Sequence, residues 1–136
     1  MKVIIDSNIL FSAIIKDSTT RRLILEYDDH FLFPEFIFEE IEKHKSELLI
    51  KSGMSEGEFN ALLSIILQKV ATVSNEALLP YRSEALEIIK DIDINDVLFI
   101  ACSLAYPGSI LWSDDKDLKK QTRIKVKNTK EFVQYL

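Results

Sequence analysis

The chain has 136 residues, of which 47% are hydrophobic, and its net charge at pH 7 is −5. This size predicts one domain, residues 1–136, with a single core, and the negative charge argues against a general nucleic-acid coat protein. The one cysteine, Cys102, excludes an internal disulfide framework and favours a reducing cytosol. No apolar run approaches the ~20 residues that span a bilayer, so we expect a cytoplasmic protein without a membrane segment.

Short apolar runs alternate with helical periodicity in the first half of the chain. Residues 2–6 and 30–34 are predicted strands, and the first is β-branched without polar alternation, as is typical of a parallel strand covered on both faces. The first predicted helix runs through Ile9 and Ala13, and a second over Leu23 and Ile24 is capped by Ser18, Thr19 or Thr20. A hairpin of two further helices follows at roughly 35–52 and 55–70. Its predicted boundary and face residues are Pro34 in the first turn, Gly53 at the end of the first helix, Ser55 as the cap of the second helix, and Val70 on the apolar face of the second helix.

The second half of the chain continues this alternation. Its almost wholly apolar segment, 93–105, predicts a buried helix that begins with candidate capping residues. The other predicted elements are a brief strand at 71–74, a helix at 82–90, a strand at 109–112, an edge strand at 124–127 and a terminal helix at 129–136. Strands that alternate with helices favour an α/β fold with a parallel sheet and right-handed crossovers.

Acidic residues follow several of these strands. In chain order they are Asp6 at the end of the first strand, Glu39 and Glu40 early in the long helix, Asp96 in the first turn of the buried helix, and Asp114, Asp115 and Asp117 after the strand at 109–112. The working crevice of a parallel sheet lies outside the carboxyl ends of its strands. We therefore expect four separate segments to bring carboxylates to one edge of the sheet.

Each of these acids also has a structural explanation. Asp96 could be a capping residue with Asp93 as its partner, and Asp114 and Asp117 could lie in a solvated turn. Asp6 is the hardest to explain in this way, because a carboxylate that closes an apolar strand needs a proton, donors or a cation. Oxygen ligands without a supporting histidine or cysteine pattern point to Mg²⁺ or Mn²⁺ and not to zinc.

A basic stretch begins directly after the acidic cluster. Residues 116–130 contain seven lysines and arginines against one acid, Asp117. The stretch is either a solvated face or a phosphate-binding patch, and its position beside the acids favours phosphate. Lys116, Lys119 and Lys120 are the candidate substrate-binding residues.

Four motifs resemble, in order and spacing, those of PIN-domain nucleases: "VIIDSNIL", "PEFIFEEIEKH", "DINDVLFIACSLA" and "LWSDDKDL". The resemblance covers nearly the whole chain, and the set of four is more specific than any single motif. It implies a three-layer α/β/α fold around a mainly parallel sheet. It also implies cleavage of single-stranded RNA by metal-activated water, which leaves a 5′-phosphate and a 3′-hydroxyl.

The resemblance further implies roles for individual residues. The implied catalytic acids and ligands of Mg²⁺ or Mn²⁺ are Asp6, Glu40, Asp96 and Asp115, with Asp117 as a supporting ligand and Asn8 and Ser113 as residues that orient water, carboxylates or phosphate. Ser113 stands where threonine is commoner in the family, and Asp114 adds negative charge at the site. Glu39 leaves the register of the second motif open.

Many small PIN proteins are VapC-like toxins of toxin–antitoxin pairs, and the resemblance extends to them. It implies a homodimer inhibited by an antitoxin protein, with the apolar surface of the 35–70 hairpin available for either association. Three alternatives share these sequence features: a housekeeping RNA-processing nuclease, a non-catalytic domain that binds RNA or protein, and a magnesium phosphohydrolase of small phosphoesters. The last is disfavoured because position 8 is asparagine and not a second aspartate.

Overall fold

The computed structural model describes residues 1–16, 19–27 and 30–136. Its strands are β1 (Lys2–Ile5), β2 (His30–Pro34), β3 (Val70–Val73), β4 (Ile110–Trp112) and β5 (Val126–Lys127). Its helices are α1 (Ser7–Ile15), α2 (Thr19–Glu26), α3 (Ile37–Ser52), α4 (Glu56–Gln68), α5 (Asn75–Leu78), α6 (Arg82–Ile89), α7 (Val97–Ala105) and α8 (Thr129–Tyr135). Three 3₁₀ turns occupy Leu79–Tyr81, Ile94–Asp96 and Lys116–Lys120.

The five strands form one parallel sheet in the order β3-β2-β1-β4-β5. Successive residues of the central strand β1 point to opposite faces of the sheet. Val3 and Ile5 pack in a cluster with α1 to α4 and α8, whereas Ile4 packs in a second cluster with α5 to α7. The protein therefore has the three-layer α/β/α architecture predicted from its sequence, with an apolar core on each side of the sheet.

Most of the predicted boundaries are confirmed, and two are wrong. Gly53 ends α3 in a left-handed conformation, with φ at 69°, and the side chain of Ser55 caps α4 in a capping box. Pro34, however, ends β2, and α3 begins at Ile37. Val70 belongs to β3 and not to α4, because its backbone pairs with Phe31 of β2. Among the described residues, no helix combines the length and apolar character needed to cross a membrane.

The start of α2 is only partly described. Ser18, one of its three predicted caps, lies outside the described residues, and Thr19 is already the first residue of the helix. The guanidinium of Arg21 in α2 donates hydrogen bonds to the carbonyls of Ala13 and Ile14, at 2.7 and 3.0 Å. These bonds satisfy carbonyls in the last turn of α1, so α2 holds α1 in place beside the sheet.

Candidate active site

Three of the four predicted acidic segments meet at the carboxyl edge of the parallel sheet. Asp6 follows β1 and lies directly before α1, and its backbone N–H donates to the carbonyl of Trp112 at the end of β4. Ser113 and Asp115 follow β4, while Asp96 lies directly before α7. Adjacent parallel strands end at the same edge, so the fold brings residues more than 100 positions apart into one site.

Asp6 is the most buried carboxylate at this edge, with 5% of its surface exposed. The hydroxyl of Ser113 donates to Asp6 Oδ2 at 2.5 Å. Burial raises the pKa of Asp6 above its ordinary value, while hydrogen bonds from Ser113 and from the backbone of Asn8 and Ser7 lower it. The ionised form of this buried group is therefore supported by fixed donors at the start of α1.

The loop after β4 is arranged by hydrogen bonds within the motif "SDDKD". The backbone N–H of Asp115 donates to the hydroxyl of Ser113 at 3.1 Å, and that of Asp117 donates to Asp115 Oδ1 at 2.9 Å. Ser113 thus connects the carboxylate of Asp6 to the backbone that carries Asp115. This links two of the predicted acids through a single hydroxyl group.

Asp96 ends the 3₁₀ turn Ile94–Asp96 and directly precedes α7, so it lies at the start of the buried helix, as predicted. It occupies the N-cap position, but its side chain makes no capping hydrogen bond. Burial and the neighbouring charges of Asp6, Asp93 and Asp115 raise the pKa of Asp96 to about 7. Capping therefore does not account for this carboxylate, which lies in a strongly negative environment.

Asp93 is a site residue that the sequence suggested only as a capping partner. Its side chain does cap the turn before α7, accepting from the backbone N–H of Asn95 at 3.0 Å. Yet one carboxylate oxygen from each of Asp93, Asp96 and Asp115 lies within 4.8 Å of the other two. The D-x-x-D spacing at the start of a buried helix could have suggested this pairing, but it is also a common capping pattern.

Glu40 lines the same cleft as Asp6 and Asp96, whereas Glu39 is exposed and does not line it. This places Glu40 on the site side of α3. Its carboxylate lies 3.6 Å from Nε2 of His44, one helical turn further along α3. Glu40 lines the cleft but is not part of the three-aspartate group.

Two neighbouring acids have protein partners instead. Asp114 accepts hydrogen bonds from the backbone N–H of Thr129 at 2.7 Å and from its hydroxyl at 2.9 Å. The carboxylate of exposed Asp117 pairs with the ammonium of Lys120 at 3.1 Å. Asp114 therefore attaches the loop to the first residue of α8, and Asp117 touches the site only through its backbone bond to Asp115.

Three of the seven basic residues of the 116–130 stretch form ion pairs among the described residues, and Arg123 pairs with Glu84. Lys119 pairs with Glu131 and Lys120 with Asp117. Among the described residues, Lys116 has no ion-pair partner, and it lies next to Asp115 in the chain. Of the three predicted substrate-binding lysines, Lys116 is the one whose charge is free to meet a phosphate.

The sequence profile of the PIN domain matches residues 4–136. The chain belongs to the PIN-domain family. No curated protein matches the chain well enough to count as a relative. PIN domains are generally metal-dependent nucleases, and the acidic edge of this PIN domain agrees with that activity.

The ligand set at this edge suits a hard divalent cation. The groups that converge are carboxylate oxygens, which Mg²⁺ and Mn²⁺ prefer, and the three-aspartate group contains no histidine or cysteine. The mutual repulsion that raises the pKa of Asp96 is also the repulsion that a bound cation relieves. The residues present therefore fit the metal expected of a PIN domain.

Proposed function

We propose that this PIN domain is an endoribonuclease that hydrolyses single-stranded RNA with Mg²⁺ or Mn²⁺. The observation that carries the proposal is the convergence of Asp93, Asp96 and Asp115 within 4.8 Å, beside buried Asp6. Membership of the PIN-domain family supports nuclease chemistry. The resemblance of the four sequence motifs supports RNA as the substrate.

The residues divide into ligands and groups that position them. Asp6, Asp96, Asp115 and Glu40 would hold the metal, Asp93 would join them, and Asp117 would act as a supporting residue. When bound, the cation polarises the phosphodiester and activates the attacking water. The Ser113 hydroxyl fixes the orientation of the Asp6 carboxylate, and exposed Asn8 lies in the cleft where it can orient water or phosphate.

A quenched fluorescent single-stranded RNA tests this function directly. We expect cleavage with Mg²⁺ or Mn²⁺, none with EDTA, and products with a 5′-phosphate and a 3′-hydroxyl. Asp96→Asn, purified in parallel, should be silent, which excludes a copurifying ribonuclease. Equal cleavage by the variant and the parent would contradict the proposal, and metal-dependent RNA binding without any cleavage would favour a non-catalytic binding domain.

The proposed biological role is that of a VapC-like toxin in the cytoplasm, inhibited by an antitoxin protein. The motif resemblance supports this role, and a housekeeping nuclease is the alternative. Induced expression in a bacterial host should arrest growth, and Asp96→Asn should abolish the arrest. Normal growth with active, soluble nuclease would contradict the toxin role and favour RNA processing.

We also propose that the chain forms a homodimer. Exposed apolar side chains on α3 and α4 support this, since Ile50 is 82% and Ile65 51% exposed to solvent. Size-exclusion chromatography with light scattering should give twice the mass of the 15.7 kDa chain at micromolar concentration. A monomer under those conditions would contradict the proposal.

A further inference from the structure

A groove leads away from the carboxylates between α1 and α3. The whole cleft has a volume of about 470 Å³ and includes Asp6, Glu40 and Asp96 at its acidic end. Ser7, Phe36, Asn95 and Phe99 also line the acidic end, and the groove beyond it is lined by Asn8, Phe11, Ser12 and Ile15 of α1 and by His44, Glu47, Leu48 and Lys51 of α3. Apart from Asn8, the proposed hydrolysis gives no role to this groove wall.

An aromatic pair, Phe11 and His44, lines the groove between α1 and α3. The rings of Phe11 and His44 have their centroids 5.4 Å apart and are tilted by 58°. Phe11 is only partly buried, and 35% of the His44 side chain is exposed. His44 lies one helical turn, ~5.4 Å, beyond Glu40, and Phe11 lies the same distance beyond Asn8. The pair therefore exposes ring surface within about one turn of the site on both helices.

The charges of the groove favour a base over a phosphate. Among the lining residues, Lys51 is the one lysine, and its ammonium is bound to the carboxylate of Glu47 at 2.6 Å. Because Glu47 is paired with Lys51, Glu40 leaves this wall with a net negative charge, which disfavours a phosphodiester there. A nucleobase is uncharged and flat, and base–aromatic stacking requires no particular base sequence.

We propose that the Phe11–His44 pair is a stacking platform for the base of the nucleotide next to the bond that is cleaved. This inference rests on the proposed ribonuclease function, because it places the scissile phosphate at the carboxylates. A base that is already stacked in a duplex cannot reach such a platform, so the pair selects single-stranded RNA. Lys51 and Glu47 stay paired, and the sugar–phosphate chain lies along the outer side of the groove.

Equilibrium binding tests the platform without depending on cleavage. The probe is a fluorescein-labelled single-stranded RNA, titrated with Asp96→Asn protein in the presence of Mn²⁺ and followed by anisotropy. In this background Phe11→Leu and His44→Leu should each raise Kd about tenfold, since stacking of one base accounts for such a factor. His44→Phe keeps a ring but removes the contacts with Glu40 and Glu47, and it should bind like its parent.

Two controls separate stacking from altered folding. Phe38→Leu removes an aromatic side chain of α3 that is 46% exposed and outside the groove, and it should leave Kd unchanged. A matched oligomer of abasic riboses should bind parent and Phe11→Leu equally, because it has no base to stack. An unchanged Kd for RNA in both leucine variants, or no saturable binding by the parent, would overturn the platform.

The outcomes also distinguish this inference from the proposed function. If wild-type protein fails to cleave RNA but binding still depends on the two rings, the ribonuclease proposal fails and the platform stands. If wild-type protein cleaves RNA but the leucine variants bind it like their Asp96→Asn parent, the platform fails and the ribonuclease stands.

Discussion

Two groups of carboxylates at the same edge of the sheet differ in what surrounds them. Asp114 is bound twice by Thr129, and Asp117 is paired with Lys120. Asp93, Asp96 and Asp115 instead converge on one another: Asp93 and Asp115 each accept one backbone N–H, and among the described residues no ion pair joins any of the three to a basic side chain. The difference teaches that acids at one sheet edge can be held by protein partners or left facing other carboxylates, and that the second arrangement is the one that favours a cation.

The largest expected effect comes from removing one negative charge from either group by an Asp→Asn substitution. Removing a residue that only positions a metal ligand typically lowers activity about 10–100-fold. Asp96→Asn would remove a proposed ligand itself, so it should lower kcat/KM by more than about 100-fold. Asp117→Asn should lower it by less than about tenfold, because that side chain faces Lys120. Initial rates of RNA cleavage measure both. Similar losses in the two variants would remove the distinction between the groups.

Metal binding should stabilise the protein through the three-aspartate group. At a free Mn²⁺ concentration 100 times Kd, binding to the folded state alone adds about 2.7 kcal/mol to the free energy of unfolding. Thermal unfolding with and without Mn²⁺ should show this gain in the wild type and in Asp114→Asn. A comparable gain in Asp96→Asn would place the cation elsewhere.

The metal-free protein should lose stability as the pH rises. The pKa of Asp96 is raised from 3.8 to about 7 in the folded chain, so the folded state binds this proton more tightly than the unfolded state. The free energy of unfolding therefore falls from about pH 4 to about pH 7 and levels off above. The size should be on the order of 1 kcal/mol, because solvent screens part of the interaction. Urea unfolding in EDTA at several pH values measures it, and Asp96→Asn should flatten the profile.

Asp114 should matter for stability and not for chemistry. Asp114→Ala removes two hydrogen bonds to Thr129 at the start of α8, and the expected loss is about 1 kcal/mol. Cleavage by the folded variant should stay close to the wild-type rate. A large loss of activity at full folding would show that Asp114 also serves the site.

The smallest expected effects concern the salt dependence of RNA binding, and they distinguish Lys116 from Lys120. Lys116→Gln should reduce the slope of log K against log salt for single-stranded RNA by about 0.7, the value for one phosphate contact. Lys120→Gln should leave the slope unchanged, because its ammonium is held by Asp117. Anisotropy titrations at several salt concentrations test this, and equal slopes for the two variants would contradict it.

The parallel sheet could be predicted because its strands follow from local patterns, whereas the strand order is known only from the structure. β1, β2 and β4 are short apolar runs, and each is followed by helical periodicity. The short helix α5 and the turn at Leu79–Tyr81 were missed, since so few residues carry no periodicity. Pro34 was misplaced because proline also suits the first turn of a helix, and its backbone pairing in β2 depends on a strand 36 residues later.

The site was only partly predictable for a related reason. The positions of Asp6, Asp96 and Asp115 follow from strand ends and helix starts. The neutralisation of Lys119 and the bonds to Asp114 depend on α8, which the sequence places near neither group. Asp93 makes a local capping bond, and this capping role is a sufficient explanation for an aspartate at that position of the sequence. Its second role emerges only when β4 brings Asp115 beside it.

Calorimetric titration of Mn²⁺ into wild-type protein, Asp96→Asn and Asp114→Asn tests the central claim most directly. Because Asp114 is held by Thr129 whereas Asp96 faces other carboxylates, we expect saturable Mn²⁺ binding in the wild type and unchanged affinity in Asp114→Asn. In Asp96→Asn the affinity should fall by at least about 100-fold. Equal affinity in all three proteins, or no binding by the wild type, would contradict the assignment of the metal to the three-aspartate group.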